Sequence, residues 1–159
     1  MRVVVLGIGN LLMSDEGIGV HAVEALQTHF VLPAEVEVVD GGTTGMELLP
    51  ELEGADHLIV VDAVRVGKPP ASVVRLVGDE VPAFFKTKLS PHQVGLSDVL
   101  AALRFAGGSP GQVVLIGVQP ASLEMGMELS LEVAARLGDV LSLVTAELAG
   151  IGLTVEERA

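Results

Sequence analysis

The chain has 159 residues, half of them hydrophobic, a formal net charge of −12, and no cysteine, tryptophan or tyrosine. That length suits one domain, residues 1–159, with a core of Val, Leu, Ile and Ala such as covered parallel sheets use. The acid excess argues against a nucleic-acid binder, which needs basic surface, and disfavours anionic lipid. The lack of cysteine excludes disulfides, thiolate nucleophiles and thiolate metal sites.

The first element is an apolar run at 2–6, read as a fully buried strand because it does not alternate. Gly7-Ile8-Gly9-Asn10 breaks it, and Ser14-Asp15-Glu16-Gly17 leads into a helix expected over 16–30. In that helix Ile18, Ala22, Val23, Leu26 and Phe30 recur near 3.6-residue spacing, and Ser14 or Asp15 can cap it. A buried strand, a glycine turn and an acid-marked helix start form the usual opening of an α/β domain. A dinucleotide fingerprint fits poorly, because its third glycine is replaced by Leu12 and five residues separate Gly9 from Asp15.

A second strand is expected at 35–39, then a turn at Asp40-Gly41-Gly42-Thr43-Thr44, then a short helix at 46–52 capped by Thr43 or Thr44. The third strand, 58–61, exits at Asp62. Only about nine residues, with Gly67, Pro69 and Pro70 among them, separate Asp62 from the fourth strand at 72–77. A parallel crossover needs a dozen or more, so this strand should run antiparallel, at an edge. Residues 79–89, with Phe84 and Phe85 between Pro82 and the lysines 86 and 88, read as a satellite apolar cluster or a contact patch. Ser90-Pro91-His92-Gln93 combines a cap, a first-turn proline and a capping box, and starts a helix expected to reach Phe105. The fifth strand covers 112–118, a loop covers 122–127, and one last helix is expected over 130–148. No run reaches eighteen apolar residues and the N-terminal run has no leader signature, so a cytoplasmic protein is expected.

Four parallel strands bring the residues that follow them to one edge of the sheet. Glu16, Asp40, Asp62 and His92 then converge there, and two carboxylates with an imidazole make a nitrogen–oxygen set suited to zinc or nickel. The ordinary alternatives are a first-turn acid at Glu16, a turn acid at Asp62 and a helix-start residue at His92. His21, His29 and His57 read as structural or surface residues. Neither an HExxH nor a G-x-S-x-G is present, which argues against a zincin or a serine hydrolase.

The stretch from Gly7 to Gly19, GIGNLLMSDEGIG, resembles the GxGNxLxxD(D/E)GxG motif of the nickel–iron hydrogenase maturation endopeptidases. Asp40-Gly41-Gly42-Thr43, Val61-Asp62-Ala63, Leu89-Ser90-Pro91-His92 and Ile116-Gly117-Val118-Gln119-Pro120 resemble further segments of that family, in order. The resemblance implies a three-layer sandwich with a twisted, mostly parallel five-stranded sheet and one antiparallel strand, related in shape to phosphorylases and peptidyl-tRNA hydrolases. It implies a metal-dependent endopeptidase that removes the C-terminal extension of the hydrogenase large-subunit precursor after metal loading. Glu16, Asp62 and His92 would be the nickel ligands, and Asp40 would act in cleavage or recognition. The nickel would arrive in the precursor, with zinc or cadmium as possible stand-ins, and the enzyme would be a monomer. A non-proteolytic nickel-checkpoint protein, or a nucleotide-binding α/β protein, are the other classes these residues allow.

Overall fold

The computed structural model describes residues 1–43, 46–81, 96–105 and 107–159. Among them, β1 (Val3–Ile8), β3 (Val36–Gly42), β4 (His57–Ala63), β5 (Val73–Val77) and β6 (Gln112–Val118) form one sheet in the order β3-β1-β4-β6-β5. All neighbours are parallel except β5, which runs antiparallel to β6 at the edge, as the short connection before it requires. A separate two-residue ribbon pairs β2 (Phe30–Val31) with β7 (Glu156–Glu157).

The central strands β1, β4 and β6 are buried on both faces, which is why they read as continuous apolar runs. Val3, Val5, Val61 and Ile116 point to one face, covered by α1 (Ile18–His29), α4 (Leu131–Ala134) and α5 (Leu137–Gly150). Val4, Leu6, Leu58, Val60 and Leu115 point to the other, covered by α2 (Leu49–Leu52) and α3 (Leu96–Phe105) through Leu52, Val99 and Leu103. The architecture is the expected three-layer α/β sandwich.

Several boundaries differ from expectation. Residues 14–17 form a 3₁₀ turn and α1 begins at Ile18, with Gly17 at its cap and no side-chain cap bond. The short helix near 46–52 is a 3₁₀ turn, Met46–Leu48, running into α2 without a side-chain cap; Thr44 lies outside the described residues. The last helix is two, because the chain turns at Ala135–Arg136 between α4 and α5. The capping motif at 90–93 and the Phe84–Phe85 segment also lie outside the described residues.

Candidate active site

The sheet order creates a switch point. From β1 the chain leaves through α1 on one face to reach β3, whereas β4 and β6 are joined by a connection that carries α3 on the other face. Between β1 and β4 the two connections therefore diverge, and the carboxyl ends of these two strands are where open α/β sheets place their binding crevice. Glu16 follows β1 and Asp62 is the penultimate residue of β4, so both stand at this crevice.

Glycine sets how closely Glu16 approaches the sheet. Gly9 has φ +144, and a Cβ there would lie 1.9 Å from the Glu16 carbonyl oxygen. Gly19, the second residue of α1, lies where a Cβ would be 2.2 Å from the Val61 carbonyl oxygen. The two glycines let the Ser14–Gly17 turn and the start of α1 pack directly on β1 and β4.

Asp62 lies within β4, paired with Gly117, rather than just beyond the strand. It is partly buried. Burial pushes its carboxyl well above the ordinary range; the Ala63 N–H pulls it back, and the neighbouring Glu16 charge adds to the rise. Two partly desolvated acids brought this close form a strongly anionic corner, which a proton or a cation stabilises. The hard oxygen donors suit a divalent cation.

Asp40 also lies inside its strand, level with Gly7 of β1, which is in turn level with Val61. It is exposed, and its Oδ1 accepts a 3.0 Å bond from the Gly42 N–H. Strand β1 separates it from β4, so two strand spacings, about 10 Å, divide the Asp40 and Asp62 backbones. Alternation along β3 puts Asp40 on the side of Val36 and Val38, whereas Asp62 follows the opposite side with Val60. His92 lies outside the described residues, four positions before the described part of α3, and α3 packs on the Asp62 side of the sheet. Among the described residues no group of three metal-binding side chains occurs; the described donors are the pair Glu16 and Asp62.

Asp15 has a role that the sequence did not suggest. It is fully buried and caps nothing in α1. Its Oδ2 accepts from the Ala121 and Ser122 N–H groups at 2.9 and 2.8 Å and from the Ser130 hydroxyl at 2.8 Å, and its Oδ1 accepts from the Ser130 N–H at 2.7 Å. Burial alone would raise this carboxyl; the bonds from Ser122, Ser130 and Ala121 outweigh it and hold it below the ordinary range. Ser130 meanwhile caps α4 by accepting from the Val133 N–H. Ser14, at φ +51, donates its hydroxyl to the Glu124 carbonyl, and its N–H bonds the Gly126 carbonyl. The turn that carries Glu16 is thus bolted to the loop between β6 and α4. A local signal for this contact was absent, because its partners lie more than 100 positions apart.

A model of the hydrogenase maturation protease family matches residues 20–147. The hydrogenase 2 maturation protease of Escherichia coli K12 is 49% identical over 159 residues, covering 99% of this chain and 97% of that protein. The structure of the hydrogenase maturating endopeptidase HybD from E. coli superposes with a TM-score of 0.95 at 48% identity, covering 99% and 98% of the two chains. A hydrogenase 2 maturation peptidase from a Thaumarchaeota archaeon superposes with a TM-score of 0.73 at 34% identity, covering 94% and 99%. The α/β fold, with its parallel sheet between helices, is that of the solved hydrogenase maturation endopeptidases. The chain belongs to the nickel–iron hydrogenase maturation endopeptidase family and is an endopeptidase.

Proposed function

We propose that this endopeptidase removes a C-terminal extension from the large-subunit precursor of a nickel–iron hydrogenase after its metal centre is loaded. Glu16 and Asp62, joined by His92, grip nickel that the precursor carries. The observation that supports this most is the meeting of Glu16 with Asp62 at the β1/β4 switch point. An anionic corner of this kind is costly when empty of positive charge and is relieved by a divalent ion delivered in the substrate. The relative from E. coli is named for hydrogenase 2 maturation, which supports the substrate class.

Holding the ion fixes the precursor so that one peptide bond lies at the crevice. Hydrolysis then adds water to the carbonyl carbon, and the water's proton passes to the departing amide nitrogen. Asp40, exposed and two strands from Asp62, suits contact with an extended peptide running across the strand ends. The enzyme works as a cytoplasmic monomer; among the described residues no helix is long and apolar enough to cross a membrane.

The reading is tested by following precursor mass with wild-type enzyme and with Glu16→Gln, Asp62→Asn and His92→Ala. Wild type should release one C-terminal peptide, and each variant should lose about a hundredfold or more in rate. A precursor left whole by wild type, or cut equally well by all three variants, would dismiss it.

A further inference from the structure

Beside the crevice lies a surface that neither the carboxylate pair nor the core accounts for. The Gly126 N–H bonds the Leu12 carbonyl at 2.9 Å, and Met13 bridges Gly126. In this parallel register Leu12 lies level with Met125, and Met127 follows two positions on, level with Ser14. Leu12 is 58% exposed, Met125 88% and Met127 63%. Leu131, 87% exposed, follows the Ser130 that Asp15 holds. Four large apolar side chains thus stand in solvent, Leu12, Met125 and Met127 on two loops whose backbones are tied to each other and Leu131 at the start of α4. Isolated exposed apolar residues need no explanation, but a group gathered on a braced scaffold marks a contact surface. Methionine suits such a surface, because its unbranched side chain adapts to its partner.

The charge around the patch says what covers it. Glu124, Glu128 and Glu132 alternate with the apolar residues and are all exposed. The sequence holds no Lys or Arg from residue 3 to 64, nor from 105 to 135, so both loops come from stretches without cationic side chains. A second copy of this chain would set acid against acid. A polypeptide with apolar side chains flanked by Lys or Arg meets both the oil and the charge.

We propose that the Leu12 and Met125–Leu131 rim is the docking surface for an apolar, basic segment of the polypeptide that the enzyme cuts. This rests on the endopeptidase reading above. The bracing makes the surface useful, since Asp15 and Ser14 fix the rim rigidly to the turn that carries Glu16. A segment seated on the rim is thereby held at a set distance from the crevice, and binding there is spent on orientation.

The test uses nickel-loaded large-subunit precursor and three folded enzymes besides wild type, each checked by its melting temperature. In Met125→Ser/Met127→Ser the KM should rise about tenfold, the weight of one good interface anchor, while kcat stays within about twofold. In Glu124→Gln/Glu128→Gln the association rate should fall and lose much of its dependence on salt. Phe105→Ser is the control: Phe105 is 97% exposed but ends α3, three residues before the Gly108 whose carbonyl accepts from the Gly54 N–H ahead of the amino ends of β4 and β6, and its KM should match wild type. Unchanged KM in both rim variants, with wild type cutting normally, would overturn the docking surface and leave the endopeptidase reading intact. A wild-type dimer that Met125→Ser/Met127→Ser turns into a monomer would overturn it in favour of a second copy. Failure of wild type to cut any loaded precursor would remove both.

Discussion

Two neighbouring acids, Asp15 and Glu16, stand in different surroundings. Asp15 spends its carboxylate on four hydrogen bonds inside the protein, whereas Glu16 faces the crevice beside Asp62. In Asp15→Asn one oxygen becomes an NH₂ aimed at N–H donors, so the folded state should lose roughly 2–4 kcal/mol. Denaturant unfolding at neutral pH measures this. The Asp15 pKa is depressed on folding, so its contribution is complete above the ordinary carboxylate range and disappears as pH falls through its folded value. Stability of Asp15→Asn should accordingly depend less on acid pH than that of wild type, and parallel acid limbs would contradict the assignment. Asp40→Asn addresses the third acid. If Asp40 contacts the peptide, the variant should raise KM for loaded precursor several-fold with little change in kcat; a fall in kcat alone would make it the general base.

At the scale of elements, the site depends on how closely α1 and its preceding turn lie on β1 and β4. Gly19→Ala brings a Cβ against the Val61 and Ile8 carbonyl oxygens, at 2.2 and 2.3 Å, and strand backbone cannot yield cheaply. It should cost about 3 kcal/mol or more, and any folded fraction should cut poorly because Glu16 is displaced. Thermal melting and single-turnover cleavage on the same sample separate the two effects. Ser130→Ala removes both the α4 cap and a donor to Asp15, and should cost at least about 1 kcal/mol. What the sequence revealed at this scale followed periodicity. The buried strands, the helix on Ile18, Val23 and Leu26, and the antiparallel edge strand could be read from local pattern and connection length. The break at Ala135–Arg136 carries no glycine or proline, and the two-residue β2–β7 ribbon is too short to show a period. Asp40 and Asp62 were expected just beyond their strands although each lies in the last residues of its strand, because glycine and acid punctuation hid the continuing ladder.

For the molecule as a whole, strand order determines function. Glu16 and Asp62 are 46 positions apart, and only the adjacency of β1 and β4, with connections leaving on opposite faces, makes them neighbours. Sequence showed that both acids stand at carboxyl ends; the order of the sheet, set by tertiary packing, was needed to show that they meet. The same order leaves Asp40 on the far side of β1, where a peptide lying across the strand ends would pass it. With a net charge of −12 and a corner of two acids, the enzyme gains most from a substrate that brings its own positive charge.

The most direct test of this account compares one precursor in two states. Wild-type enzyme is incubated with nickel-loaded and with nickel-free large-subunit precursor at equal concentration, and the mass of each is followed in time. Loss of a single C-terminal peptide from the loaded form, with the nickel-free form intact, is the predicted result. Equal cleavage of both forms would contradict the claim that Glu16 and Asp62 recognise nickel carried by the substrate.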